Sequence, residues 1–414
     1  MTIMYPKYRW FPLITIIAAH LLQGMALIGP SPLVGSIAES LNLNLGAATA
    51  ASMLPFTLMV AIGGLISGMV IDRWGLAKTY VLFCSLETVA ALLLPAFGTS
   101  VAGLIVIRGL QGLGCGPITA SGPKMASEWF PRTQRSMVQG VTGASLSMGI
   151  IAGLNVGPVI AQTRSWNTAL TILGGLMIIA VILSVIFIFG PESPGSIEDQ
   201  APKERVSKDF KKVFGLPTFW MTFLSTFALS WVMQGYQDLT PGHIAVSPPV
   251  GLGLGSIISG QMMALLVLAF VLGSLSTPII AEKIFRGKYG RAITVSFCLT
   301  AFFCISVMSP LVKSNMPVLI ICLFLAGFFM GMPMASGMSF IANNYPEHIT
   351  GSVGGFTMGL AIFGGAIGVA AGSTALHITG MYNVSIIIVG VVAVIGAIAG
   401  FGIKPVNIFD KNLE

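Results

Sequence analysis

The sequence predicts an all-α integral membrane protein of twelve transmembrane helices, arranged as two pseudo-symmetric six-helix bundles. Three observations predict it. The 414 residues are 55% hydrophobic and only 8% charged, against about 25% charge in a soluble domain. The apolar runs reach about 20 residues or more, the length a helix needs to cross a bilayer, and helices satisfy every backbone group within one segment. The two halves of the chain also align on each other at spaced glycines and prolines.

The first span is expected over 10–38. It is too long for a cleavable signal core, and its basic flank, Lys7 and Arg9, places the N-terminus in the cytoplasm. It carries His20, Gln23 and Gly24, with Pro30 inside. Spans 2 and 3 follow over 47–71 and 78–97, joined by a charged turn, and Glu87 is central in the third. Span 4 covers 101–127. Arg108 lies about eight residues into it, at a depth where an ionisable group is expensive and points to function. Gly112, Gly114 and Gly116 let neighbouring helices approach, and Lys124 falls near the inner end. Counted from the turn at 98–100 at about 1.5 Å per residue, Glu87 lies about 18 Å and Arg108 about 14 Å deep, so a fixed Glu87–Arg108 pair competes with a functional reading of both. Spans 5 and 6 take 136–162 and 168–190.

Residues 191–215 are polar, mixed in charge and rich in proline and glycine near their start. They read as a cytoplasmic linker between an N-terminal bundle, 1–190, and a C-terminal bundle, 216–414. Lys208, Lys211 and Lys212 at its end could lie on anionic lipid headgroups. Spans 7 to 12 are expected over 218–247, 256–281, 291–309, 316–342, 350–377 and 383–403. On the seventh, Phe227, Trp231, Gln234 and Asp238 share one face, mixing aromatic surface with polar tips as a binding cavity does.

The repeat is gap-free over 120–140 and 335–355, pairing Gly122 with Gly337, Pro131 with Pro346 and Gly140 with Gly355. Upstream, Gly112 pairs with Gly327 and Gly116 with Gly331. At the start of each half HLLQG (20–24) matches WVMQG (231–235), and Pro30 matches Pro241. Because apolar sequence continues past Pro30, span 7 should run past Pro241 and hold Asp238 inside the protein. Such repeats mark secondary transporters.

Orientation follows from the basic residues: roughly 17 of the 21 Lys/Arg fall in cytoplasmic loops and tails, with Arg164 and Lys313 outside. The net charge of +7 is therefore a topology signal, not a nucleic-acid footprint. The five cysteines lie in apolar runs without metal-ligand spacing. No metal or cofactor is expected, no enzyme constellation is visible, and no phosphate-binding loop is present to use ATP.

In the turn between spans 2 and 3, Gly68, Asp72, Arg73 and Gly75 stand as in the G-x-x-x-D-R-x-G-R-K signature of the major facilitator superfamily, which this chain resembles. Leu76 replaces the second arginine, and the final basic residue is displaced to Lys78. A decayed copy, Glu282 and Lys283, stands in the second half. The resemblance extends to span 4, where Arg108, Gln111, Gly112 and Gly114 match R-x-x-Q-G-x-G. In span 5, Gly153, Gly157 and Pro158 partly resemble an antiporter motif that Ala161 and Gln162 depart from. It implies alternating access, with Asp72 and Arg73 forming a gating latch that pairs with basic groups across the seam between halves. Glu192-Ser193-Pro194 is similar to a sugar-porter signature, but span 7 lacks paired glutamines.

The function expected is uptake or exchange of a small organic anion, a carboxylate, with protons as coupling ion, in a monomer of the bacterial inner membrane with both termini cytoplasmic. Arg108, Lys124 and protonatable His20 give the path a cationic bias, and EWFPRTQR (128–135) looks like a W-F-P-x-x-x-R turn of anion-handling branches. Gln23, Glu87, Trp231, Gln234 and Asp238 complete the substrate or proton set. The alternatives are proton-driven efflux of drug-like or metabolite cations, resting on Asp238 and the aromatic, Met-rich helices, and a receptor or scaffold that moves nothing.

Overall fold

The computed structural model describes residues 6–193 and 209–405, apart from the side chains of Arg132, Ser136, Glu347 and His348. Most of the expected linker, including Lys208, and Pro194 of the sugar-porter-like triplet lie outside the described residues. All regular elements described are helical: α1 (Trp10–Ile28), α2 (Val34–Ser40), α3 (Leu45–Phe97), α4 (Val101–Thr119), α5 (Gly122–Trp129), α6 (Arg132–Thr163), α7 (Trp166–Gly175), α8 (Ile178–Ile188), α9 (209–213), α10 (Pro217–Ala245), α11 (Gly255–Lys283), α12 (Tyr289–Ser306), α13 (Pro310–Lys313), α14 (Met316–Asn344), α15 (Glu347–Thr379) and α16 (Tyr382–Phe401), with 3₁₀ turns at Lys7–Arg9 and Ser31–Leu33.

Ten stretches are long and apolar enough to cross a membrane. One of them, α3, has 53 residues and makes two crossings, divided at Gly75. The polar α10, of 29 residues, supplies the twelfth. Gly75 sits at φ 76°, ψ 165°, a backbone region open essentially to glycine alone. The residues expected to form a turn, 72–77, are thus helical on either side of that one residue. Three expected spans are each two pieces. The first breaks at Gly29–Pro30, the fourth at Ala120–Ser121 and the sixth between α7 and α8. Start positions follow side-chain caps: Asn44, Ser100, Ser165 and Asn315 each accept an N–H of the first turn.

By contact the chain falls into two units. One comprises Met1–Ile197, Gln237–Ala264 and Ser373–Tyr382; the other comprises Glu198–Tyr236, Leu265–Gly372 and Asn383–Glu414. In the first, α3 packs along α4 and α1 along α6. The α3–α4 approach needs glycine. A Cβ on Gly112 would collide with the Phe56 carbonyl, and one on Gly116 with that of Val60. In the second unit, α11 and α14 pack the same way. Gly327 and Gly331 abut the carbonyls of Leu266 and Phe270. The glycines that align in the repeat therefore do equivalent work in each half. The core of the first unit has an inner cluster around Tyr80, Trp129 and Phe130 and another around Leu33, Ile37, Leu94 and Trp166.

Candidate functional site

The centre of the first unit is Arg108, only 2% exposed. Its guanidinium is held by neutral groups. Nε donates to the Ser52 carbonyl at 2.7 Å, Nη1 to the Ala26 carbonyl at 3.0 Å and to Gln111 Oε1 at 2.8 Å, and Nη2 to the Leu27 carbonyl at 3.0 Å. The Phe56 ring lies 4.3 Å away, at cation–π distance. One carbonyl partner is freed by a proline. Proline has no N–H, so the carbonyl four residues earlier loses its helical donor, and Pro30 frees the Ala26 carbonyl near the end of α1. Arg108 ties α1 and α3 to α4.

The expected alternative, a fixed Glu87–Arg108 pair, is corrected. None of the guanidinium nitrogens bonds a carboxylate; every bond goes to a carbonyl or to Gln111. Glu87 is fully buried where α3 meets α4 at Gly114. Gln23 faces its carboxylate without a hydrogen bond of ordinary geometry.

Asp238 is 1% exposed, inside a helix that continues through Pro241 to Ala245. Here the repeat carries real geometry. Pro241 frees the Gln237 carbonyl as Pro30 frees that of Ala26. The Ser31 hydroxyl is shared between the carbonyls of Gln237 at 3.0 Å and Asp238 at 3.1 Å, the repeat partners of Ala26 and Leu27. Ser259 Oγ donates to the Pro241 carbonyl at 2.7 Å. His243, one turn further on and buried, lies with its ring 5.6 Å from that of Tyr382. Sequence reading passed over Ser31, Gln237, His243 and Tyr382. The pairing of Pro30 with Pro241 was the signal that could have found Ser31.

His20 is buried with both ring nitrogens on carbonyls, Nδ1 on Thr142 at 3.1 Å and Nε2 on Ile118 at 3.3 Å. A neutral ring donates to only one of them at a time. Gln23 donates to the Cys115 carbonyl at 3.4 Å and accepts from Thr119 Oγ1 at 3.3 Å. In the second unit, Trp231 and Gln234 pack on the glycine-rich α15 at Gly368 and Gly365. The Trp231 ring is 6.4 Å from Phe227, and its indole N–H is buried without a hydrogen-bond partner.

Lys124 is corrected as well. The break at Ala120–Ser121 places it on the short α5, where its Nζ bonds Asp72 Oδ1 at 2.9 Å and Glu128 Oε1 at 3.4 Å. It belongs with the charged turn, not with Arg108. Asp72 accordingly pairs within its own half. Gly68, Arg73 and Gly75 are exposed beside it, as are Glu282 and Lys283 at the end of α11. A cavity of about 420 Å³ opens under the turn, lined by Trp74, Lys78, Glu128, Trp129, Phe187 and Glu192 among others. Arg135 of the W-F-P-x-x-x-R turn donates to the carbonyls of Phe130 and Ser127, both at 3.2 Å, and so closes the end of α5.

Known proteins resemble the chain along its length. It is 26% identical over 356 residues to the hexuronate transporter of Bacillus subtilis, covering 83% of this chain and 82% of that one. It is 22% identical over 401 residues to a probable sulfoacetate transporter of Cupriavidus necator, covering 92% and 90%. A bacterial homolog of the human lysosomal transporter Spinster, solved in an inward-facing and unoccupied conformation, superposes with a TM-score of 0.76 at 13% identity, over 95% of this chain and 96% of that one, and shares its fold. The family model of the Major Facilitator Superfamily matches residues 16–310 and 244–411. With twelve spans, repeat-related glycine contacts and this match, the chain belongs to the Major Facilitator Superfamily: it is a multi-pass membrane transporter and not an enzyme.

Proposed function

We propose that the protein moves a small organic anion, a carboxylate or similar acid, by alternating access with proton coupling or exchange. One observation carries the reading: Arg108 is a buried cation at membrane depth whose hydrogen bonds all go to neutral groups, none to a carboxylate. The relatives named for hexuronate and sulfoacetate transport both carry acids. The moving bodies are the six-helix halves 1–190 and 216–414, joined by the linker 191–215. The setting is a bacterial inner membrane, both termini cytoplasmic, the working unit a monomer in contact with lipid. His20, Gln23, Glu87, Trp231, Gln234 and Asp238 serve substrate or proton. Asp72, Arg73, Gly68, Gly75, Glu282 and Lys283 form the gating turns, and Lys124 acts with them.

The buried acids Glu87 and Asp238 favour a second reading, proton-driven efflux of organic cations. A thermal-shift assay on purified protein separates the two, because a bound ligand raises apparent stability by mass action. Glucuronate or sulfoacetate should raise Tm, and tetraphenylphosphonium should not. Arg108→Lys keeps the charge but loses the planar fork, and should weaken anion binding by about tenfold or more, a cost of about 1.4 kcal/mol. Stabilisation by the cation alone would transfer the protein to the efflux class.

A further inference from the structure

Glu87 is the only acid between Asp72 and Glu128. It lies where α3 and α4 approach closely: a Cβ added to Gly114 would stand 3.1 Å from the Glu87 Cβ. The side chain is wholly buried, and among the described residues neither carboxylate oxygen has a hydrogen-bond partner.

These surroundings suit a neutral group. An ionised carboxylate buried without partners is far costlier than the protonated form, so a carboxyl in such a place keeps its proton. Few ionisable groups face it. On α4 they are Arg108, which bonds only neutral acceptors, and Cys115; on α3 there is Cys84, one turn before. The helices α7 and α8, which also pack on α3, carry no ionisable side chain. From α1 comes Gln23, which is neutral. The single hydroxyl proton of Thr119 lies closer to the Cys115 carbonyl, at 3.0 Å, than to Gln23 Oε1, at 3.3 Å. The amide oxygen therefore keeps capacity for the O–H of a protonated Glu87.

A neutral Glu87 removes one negative charge that would repel an anion near Arg108. Proton and anion thus favour each other's binding, and linkage makes the effect reciprocal. We propose that Glu87 carries the coupling proton: its carboxyl is neutral in this conformation, and the proton is taken up and released together with the anion. The inference rests on the anion reading above and narrows it to symport, in which acid and proton move the same way.

The test uses full-length protein in dodecyl maltoside, a detergent without a carbonyl. Infrared spectra at neutral pH read the C=O stretch of a protonated carboxyl with no substrate present. The band should be present in the wild type, absent in Glu87→Gln and shifted in Glu87→Asp, which keeps the acid. It should survive in Asp238→Asn, which removes the other buried acid among the described residues. A band unchanged in Glu87→Gln, lost only in Asp238→Asn, or fixed at every pH the folded protein tolerates overturns the proposal. Above the pH at which the band titrates away, binding of glucuronate or sulfoacetate should take up about one proton per acid, read by an indicator dye in weak buffer. Affinity there should fall by up to about tenfold per unit of rising pH, the slope of one linked proton. Glu87→Gln should take up none. Acid binding without uptake in the wild type, or uptake that survives Glu87→Gln, also overturns the proposal. Failure of both acids to bind would count against the anion reading instead, and the carboxyl band would then decide the state of Glu87 by itself.

Discussion

Arg108 and Ser31 perform the same task at repeat-related places. Each donates to a carbonyl that a proline four residues on leaves open and to the carbonyl next to it, Arg108 to Ala26 and Leu27, Ser31 to Gln237 and Asp238. A buried carbonyl without a donor costs about 1–3 kcal/mol. Ser31→Ala should therefore lower stability by about that amount, measured as unfolding in detergent, with helix content unchanged. A neutral result would mean that water or a neighbouring side chain serves the Gln237 carbonyl. The same reasoning explains what the sequence did and did not disclose here. The depth of Arg108 was legible because charge is rare in apolar runs. Its partners were not, because backbone carbonyls carry no sequence signature. The pairing of Lys124 with Asp72 and Glu128 was not legible for a related reason. Apolar text runs on through Ala120 and Ser121, and only the structure shows the helix breaking there.

Among the elements, the paired glycines carry the fold. Gly112 and Gly116 bring α4 onto α3, and Gly327 and Gly331 bring α14 onto α11, each against a main-chain carbonyl that cannot move aside. Overpacking of this kind costs about 1–3 kcal/mol or more. Gly112→Val and Gly327→Val should lower the melting temperature by similar amounts, each in its own half. Strongly unequal losses would argue that the two contacts are not equivalent. The spans themselves were legible almost throughout, since hydropathy and length decide them. The passage of α10 through Pro241 could be read only by comparing the halves. What hydropathy could not give was the division of three spans into two pieces, because no single residue type compels a break at Ala120–Ser121 or beside Leu176.

For the molecule as a whole, the charged turn at Asp72 is the contact that the proposed gating would release. Lys124 holds Asp72 and Glu128 together, but exposed ion pairs are worth only about 0–1 kcal/mol. Asp72→Asn should thus leave expression and Tm almost unaltered. On the gating role proposed above, Asp72 should still matter to turnover, and transport of the acid identified by thermal shift should fall severalfold in proteoliposomes. Unchanged transport would reduce the turn to a topological marker.

The polarity of α10 has a consequence for how the protein is made. This helix holds Gln237, Asp238 and His243 buried in its C-terminal part. A single Asp at the centre of a span costs about 2.5–3.5 kcal/mol during insertion. Alone in lipid it would be a poor stop for the translocon. Ser31, which donates to the Gln237 and Asp238 main-chain carbonyls, lies in the first span and leaves the ribosome earlier. The seventh helix is therefore expected to settle against spans already made, so that biogenesis of the second half begins as a docking step on the first.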